Sequence, residues 1–509
     1  MNTGRIDQGL QKEQPLARGR WLLAAILVLG LALRLINLGG RMLWYDEAFA
    51  ILYSEKGLQS ILHGTIAPVN GAAADVHPLL YYFILHFWQA LLGGSVFAVR
   101  SLSVILGVLT IGLVYLVARE LFGERVALVA ALLTAVAPFD VNYSQETRMY
   151  SLLAALTLGM VWFFVRAWRG GGWALWAGFT LMGALSLYTQ NLAFLNILAI
   201  DLWVIVTRRW RLIKPLVLCQ LVMVILFLPW LSIVPSQLGK IGQAYWVPRP
   251  GLGELVRTVV DFTFNLPLPP AVLPGAVALS IGLLVLTLYR LFRCSLLSPE
   301  MALVLILSLG PLLMMFVLSQ WRSVYIDRGI LPAALSYYIL LAAVWSGVRV
   351  PKWGAGLILL PFAAVVLVSL YTYYTYDLFP RSPYPQLVAF LRQQYRSGDV
   401  IVHDNKLSFF PSYYYDRELP QQFAPDPPGS GSDTLALPTQ ESLGLYATPL
   451  EEAVQGQSRV WFVIFQRAID EYVKTGKSGH PDKLWLDEHY REKERRSFND
   501  LDVYLYERN

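Results

Sequence analysis

The chain has 509 residues, of which 56% are hydrophobic and only 15% charged. So apolar a composition, bunched into long runs almost free of charge, excludes an ordinary soluble protein. The net charge of +6 is distributed as the orientation signal of a membrane protein rather than as a nucleic-acid footprint, so no nucleic-acid partner is expected.

The first apolar run covers residues 21–38, behind a short basic lead (residues 1–20) with Arg5, Lys12, Arg18 and Arg20. Its length and the many runs that follow read as a membrane span, not a cleaved signal peptide. Further spans are predicted at 101–118, 126–139, 151–166, 173–187, 192–207, 215–235, 271–290, 301–319, 329–348 and 354–374, about eleven in all. With the amino terminus cytoplasmic, the inner loops collect Arg119, Arg125, Arg166, Arg169, Arg208, Arg209, Arg211, Lys214, Arg290, Arg293, Arg349 and Lys352. The positive-inside rule therefore sets a multi-pass protein of the cell membrane, amino terminus inside and residues 375–509 outside. The membrane domain is then 21–374.

Its first external loop, 39–100, contains "HPLLYYFILHFWQALL", His77 to Leu92. A span there would turn every later basic loop outward, so 77–92 is predicted as an interfacial or re-entrant helix. A short ordinary span is the alternative. The third external loop, 236–270, carries the aromatic, proline-rich "GQAYWVPRPGLGELV". Cys219 and Cys294 fall in a span and at an inner span end, which excludes a disulfide framework and a cysteine zinc site. The tail, 375–509, reads as a small extracytoplasmic α/β domain. "YPQLVAFLRQQY" has helical period, and "GDVIVHD", "RVWFVIF" and "LDVYLYER" have strand composition. "APDPPGSGSD" reads as a loop between them.

The remaining polar residues gather at outer span ends. Asp46 and Glu47 follow the first span in "LWYDEAFA". Asp75 and His77 open the interfacial helix. "FDVNYSQETRMY" holds Tyr143, Gln145, Glu146, Arg148 and Tyr150, and "QWRSVYIDRG" holds Arg322, Tyr325, Asp327 and Arg328. Ionisable groups near a bilayer are costly and mark cavities, pairs or functional sites. Arg34, near the outer end of the first span, is read as snorkelling. The pattern suits transfer of a sugar from a lipid-linked phosphate. The leaving phosphate needs fixed positive charge but no general acid, and the acceptor needs one carboxylate base. Asp46, His77, Arg148 and Arg328 meet that requirement, and arginine matches phosphate geometry. A transporter or flippase of lipid-linked glycans is the competing reading, but it predicts charges at mid-membrane, where the runs are nearly charge-free.

"ALRLINLGGRMLWYDEAFA", "DVHPLLYYFILHFWQALLGGSVFAVRSLSVILGVLTIGLVYLVARELFG", "YSQETRMYSLLAAL" and "VYIDRGILPAAL" together resemble GT-C class glycosyltransferases. They are closest to the dolichyl-phosphate-mannose protein mannosyltransferase-like and aminoarabinose transferase-like groups. The resemblance covers about residues 20–400. Leu79 stands where the family has a second proline, and Gly329 stands where it has an aromatic, which implies a looser site there. The resemblance implies inverting transfer from a polyprenyl-phosphate sugar to a glycan, lipid or protein acceptor on the external face. It implies Asp46 as catalytic base and Glu47 as its support or an acceptor contact. It places His77, Arg148 and Arg328 on the donor phosphate or sugar, with Tyr143, Gln145, Glu146 and Tyr150 from the same block. Some relatives hold a divalent ion, for which Asp75 and His77 are the candidates; two residues do not make a site, so His77 acting alone stands beside it. His86 is expected to pack against the membrane domain, and His403 to be structural or exposed.

Overall fold

The computed structural model describes residues 7–69, 72–73, 76–237, 247–347, 352–426 and 435–508. Asp75, part of the aromatic loop (242–246) and most of the "APDPPGSGSD" loop lie outside the described residues. The chain divides into two compact units. One comprises residues 1–38, 100–232 and 247–374, and the other 39–99, 233–246 and 375–509. The cut differs from the expected boundaries in two respects: the first loop and residues 233–246 group with the tail.

In the first unit every expected span falls on a helix: Asp7–Leu35, Val96–Phe122, Glu124–Val136, Tyr150–Trp168, Trp173–Leu187, Phe194–Val206, Ile213–Leu231, Leu273–Arg293, Pro299–Leu318, Leu331–Trp345 and Lys352–Thr375. Six helices among the described residues are long and apolar enough to cross a membrane. A seventh arises if Glu124–Val136 and Pro138–Ser144, bent by 62°, count as one span. Pro138 causes the bend: it lacks an N–H and holds Ala137 in extended backbone. Trp173–Leu187 and Asn191–Val206 are apolar but shorter. Leu331–Trp345 is almost wholly buried, whereas Ile213–Leu231 exposes Leu221, Ile225 and Leu228, as expected of a lipid-facing helix. The chain is thus a helical membrane protein.

Arg34 corrects the expectation of snorkelling. It is fully buried, and its guanidinium donates to Asp140 at 2.5 Å, to Gly30 O at 2.9 Å and to Ala135 O at 3.1 Å. In a low-dielectric interior a paired charge is far cheaper than a lone one, so Asp140 holds it inside.

The second unit contains the small α/β domain. Its five-stranded sheet runs, edge to edge, Gln421–Phe423, Val400–His403, Arg459–Phe465, Leu501–Arg508, Tyr490–Phe498. The first three strands are parallel and the last two pairings antiparallel. Alternate residues serve two cores. Ile401, Trp461, Val463, Val503 and Leu505 meet the helix Tyr384–Gln394 on one face. Val400, Val402, Val460, Phe462 and Tyr504 meet Leu450, Val454 and Leu486 on the other. Burial on both faces explains the continuous apolar run "RVWFVIF". The sheet holds all three expected strands. It adds Gln421–Phe423, which is short, and Tyr490–Phe498, which is charged and exposed. The same unit carries helices Tyr45–Ser54, Leu58–Ile66 and Leu80–Leu92, the last covering most of the expected interfacial segment.

His403 is buried, with Nδ1 3.1 Å from Ser408 Oγ and Nε2 3.0 Å from Gln421 Oε1. Burial pushes its pKa down to about 3. The unfolded ring titrates near 6.5, so the neutral ring's contribution is whole above pH 6.5 and shrinks as pH falls towards 3. Asp404, raised by burial, works in the opposite sense, so the useful readout is a difference between chains. Relative to the parent, His403→Gln should gain about 1–2 kcal/mol between pH 6.5 and pH 5, read by native-state hydrogen exchange at Val400–His403. Parallel pH curves for the two chains would contradict this.

Candidate functional site

In the helical unit, the "YSQETRMY" block is a buried connection between helices Pro138–Ser144 and Tyr150–Trp168. Ser144 Oγ donates to Asp140 O at 2.6 Å, and Ser103 Oγ donates to Glu146 O at 2.5 Å. Gly107 permits the close approach, since a Cβ there would collide with Ser144. Gln145 is 1% exposed, and its Nε2 donates to Arg34 O and Ile36 O, both at 2.8 Å. Its donors are therefore committed to the end of the first helix rather than to a ligand. Glu146 and Arg148 are buried in the same connection.

Three predicted residues come together there. The Tyr143 ring lies edge-on to Tyr150 at 5.2 Å and to Phe139 at 4.9 Å. The Arg328 guanidinium lies 5.7 Å from the Tyr150 ring centre, within cation–π range. Gly329 leaves no empty space, because an added Cβ would sit 3.3 Å from both Gln190 Nε2 and Leu192 Cδ1. The looseness expected at this position is absent.

Asp261 was not predicted. It lies on helix Leu252–Phe264, a non-spanning amphipathic helix, and is 4% exposed. One carboxylate oxygen accepts from Leu266 N at 2.9 Å, and the other lies 3.8 Å from Arg257 Nε. Burial first, and then the charge of Asp327, push its carboxyl well above the usual carboxylate range, while Arg257 opposes. An acidic residue inside the otherwise apolar stretch "TVVDFTF" was the available signal.

In the second unit, Asp46 and Glu47 occupy the first turn of helix Tyr45–Ser54. Asp46 is half-buried and Glu47 fully buried. Arg381, from the tail, places Nη1 2.7 Å from Glu47 Oε2 and 2.7 Å from Met42 O. Tyr415 OH accepts from Leu43 N at 3.2 Å. The Tyr45 ring meets Phe410 edge-on at 5.6 Å and has Lys406 Nζ 5.8 Å from its centre. Glu47 is thus bound in a buried ion pair. His77 is half-buried ahead of Leu80–Leu92, and His86 Nδ1 lies 2.7 Å from Ser54 O. The predicted residues therefore form two sets, Tyr143, Gln145, Glu146, Arg148, Tyr150 and Arg328 in one unit, and Asp46, Glu47 and His77 in the other. Among the described residues no three His, Cys, Asp or Glu side chains are grouped to hold a metal ion.

Known proteins match this arrangement. Residues 76–233 match the family described as dolichyl-phosphate-mannose-protein mannosyltransferase. A Pseudomonas fluorescens (strain Pf0-1) protein named undecaprenyl phosphate-alpha-4-amino-4-deoxy-L-arabinose arabinosyl transferase 2 is 28% identical over 231 residues, 43% of this chain and 41% of that protein. The matched stretch thus spans less than half of that relative. The structure of ArnT from Cupriavidus metallidurans bound to undecaprenyl phosphate superposes with a TM-score of 0.64 at 13% identity, over 95% of this chain and 97% of that one. An Archaeoglobus fulgidus oligosaccharyltransferase superposes with a TM-score of 0.54 at 14% identity, over 96% and 74%. The chain has the fold of the GT-C class of membrane glycosyltransferases.

Because Asp261 favours its neutral form, Asp261→Asn should leave thermal stability at neutral pH within about 1 kcal/mol, as an amide oxygen can still accept from Leu266 N. Asp261→Ala, which strands that N–H, should cost about 1–2 kcal/mol. Thermal unfolding of the solubilised chain measures both, and equal losses would refute the assignment.

Proposed function

We propose that this chain transfers a sugar from a polyprenyl-phosphate donor to a hydroxyl or amine acceptor at the extracytoplasmic face, with inversion and with Asp46 as general base. The observation that carries the reading is the Arg328–Tyr150–Tyr143 stack beside the buried Gln145–Arg148 segment. It is a half-buried cation at the head of a membrane helix, where a lipid phosphate needs one. The relative's name, which gives an undecaprenyl-phosphate aminopentose, supports the donor class. The name of the matched family, which gives mannose on a dolichyl phosphate, supports the same leaving group.

The acceptor oxygen or nitrogen bonds to the anomeric carbon as the bond from that carbon to the phosphate oxygen breaks. The bonding pair leaves with the phosphate, and Arg328 and Arg148 offset the charge it gains. Asp46 takes the acceptor proton. A single displacement from the opposite face inverts the anomeric centre. The acceptor is a glycan, lipid or protein group, and the amino terminus is assigned to the cytoplasm by the basic inner loops.

In membranes supplied with labelled undecaprenyl-phosphate aminoarabinose or mannose, Asp46→Asn should lower transfer by about 10²–10⁴-fold. Arg328→Gln should chiefly raise the donor KM. Near-normal transfer by Asp46→Asn would remove the base assignment, and lipid-linked sugar crossing vesicles without any product would favour a flippase.

A further inference from the structure

We infer that Arg381, in the C-terminal domain, is the positioning residue that sets the base-bearing turn, so that this domain takes part in the chemistry through Asp46. The inference rests on the reading of Asp46 as base. One guanidinium nitrogen holds the chain on both sides of that residue: Nη1 donates to Met42 O ahead of Asp46 and to the Glu47 carboxylate behind it. Both side chains of the ion pair are sealed from solvent, at 5% and 0% exposure. A buried pair with good geometry resists displacement, because removing either partner strands a desolvated charge.

Arg381 is itself held. Asp500, in the turn joining the last two strands, accepts from Phe379 N at 2.6 Å and from Ser382 Oγ at 2.8 Å. Its backbone oxygen accepts from Gln466 N at 2.8 Å. Asn499, at φ 57°, makes the turn and donates to Asp377 O at 2.9 Å. Phe379 packs edge-on to Phe465 at 5.1 Å. The segment 377–382 is therefore fastened to the end of the sheet, and its arginine reaches the catalytic turn. The helix Lys406–Tyr415 adds a second support through Phe410 and Lys406 on Tyr45.

Positioning and simple stabilisation differ in the pH profile. Glu47 adjoins Asp46 in sequence. Arg381→Gln removes a positive charge 2.7 Å from Glu47, which makes the turn more negative and moves the acid limb of kcat/KM upward. Glu47→Gln removes a negative charge from the same turn and moves that limb downward. The double variant restores the balance and returns the limb towards the parent. Among the described residues, Lys406, which pairs with Asp426, lies over the Tyr45 ring of this turn and Tyr415 OH accepts from Leu43 N ahead of it, and these groups are unchanged throughout.

The experiment assays the full-length protein in membranes with labelled undecaprenyl-phosphate sugar, normalised to folded protein by size-exclusion profile. Arg381→Gln should lower kcat by about 10–100-fold with donor KM within about twofold. Arg381→Lys should recover part of the rate. The two single variants should shift the acid limb in opposite directions by about half a pH unit or more. If they lose only folded yield, with kcat and the acid limb unchanged, Arg381 is a stabilising contact and the inference fails. An Asp46→Asn protein that still transfers sugar removes the underlying reading instead.

Discussion

Everything in the helical unit depends on how the carboxyl-terminal end of the first helix is satisfied. The last carbonyls of any helix lack intrahelical donors, and in a membrane protein no water reaches them cheaply. Here other helices supply the donors. Gln145 serves Arg34 O and Ile36 O, Arg100 serves Leu38 O at 2.9 Å, and Tyr374 serves Leu33 O. The Arg34 side chain turns back into the bundle onto Asp140. One helix end thus fastens residues near 100, 140 and 374, and the "YSQETRMY" connection has a fixed shape as a result.

That shape orders the polar residues by role. Gln145 binds the main chain at the end of the first helix, and Asp140 binds the Arg34 guanidinium. Tyr143 and Tyr150 pack edge-on, and the Arg328 guanidinium lies over the Tyr150 ring. In the other unit the adjacent carboxylates divide in the same way. Glu47 is bound by Arg381, and Asp46 keeps partial access to solvent.

The sequence made the spans legible because the bilayer allows few ways to satisfy the backbone, and runs of apolar residues follow directly. Tail strands were legible where two-sided burial imposed β-branched and aromatic residues, as in Arg459–Phe465. Tyr490–Phe498 was not, because an exposed edge strand rich in lysine, arginine and glutamate carries no such signature. Arg34 was misread for another reason. Its position near a span end suggested solvent, but its partner lies 106 residues away, and no local pattern reveals so distant a pair. The recurring motif around Asp46 was visible, whereas Arg381, in "FPRSPYP", carried no mark of its contact with Glu47.

The Glu47–Arg381 contact joins residues 334 positions apart. At about 5–20 residues per second of synthesis, roughly 17–67 s separate the emergence of its two halves. Until the later half arrives, the turn that carries Asp46 lacks its clamp, whatever the state of the spans already made. A later segment therefore completes the geometry of an earlier one, and a chain cut ahead of Arg381 would keep the helices already made while losing that adjustment.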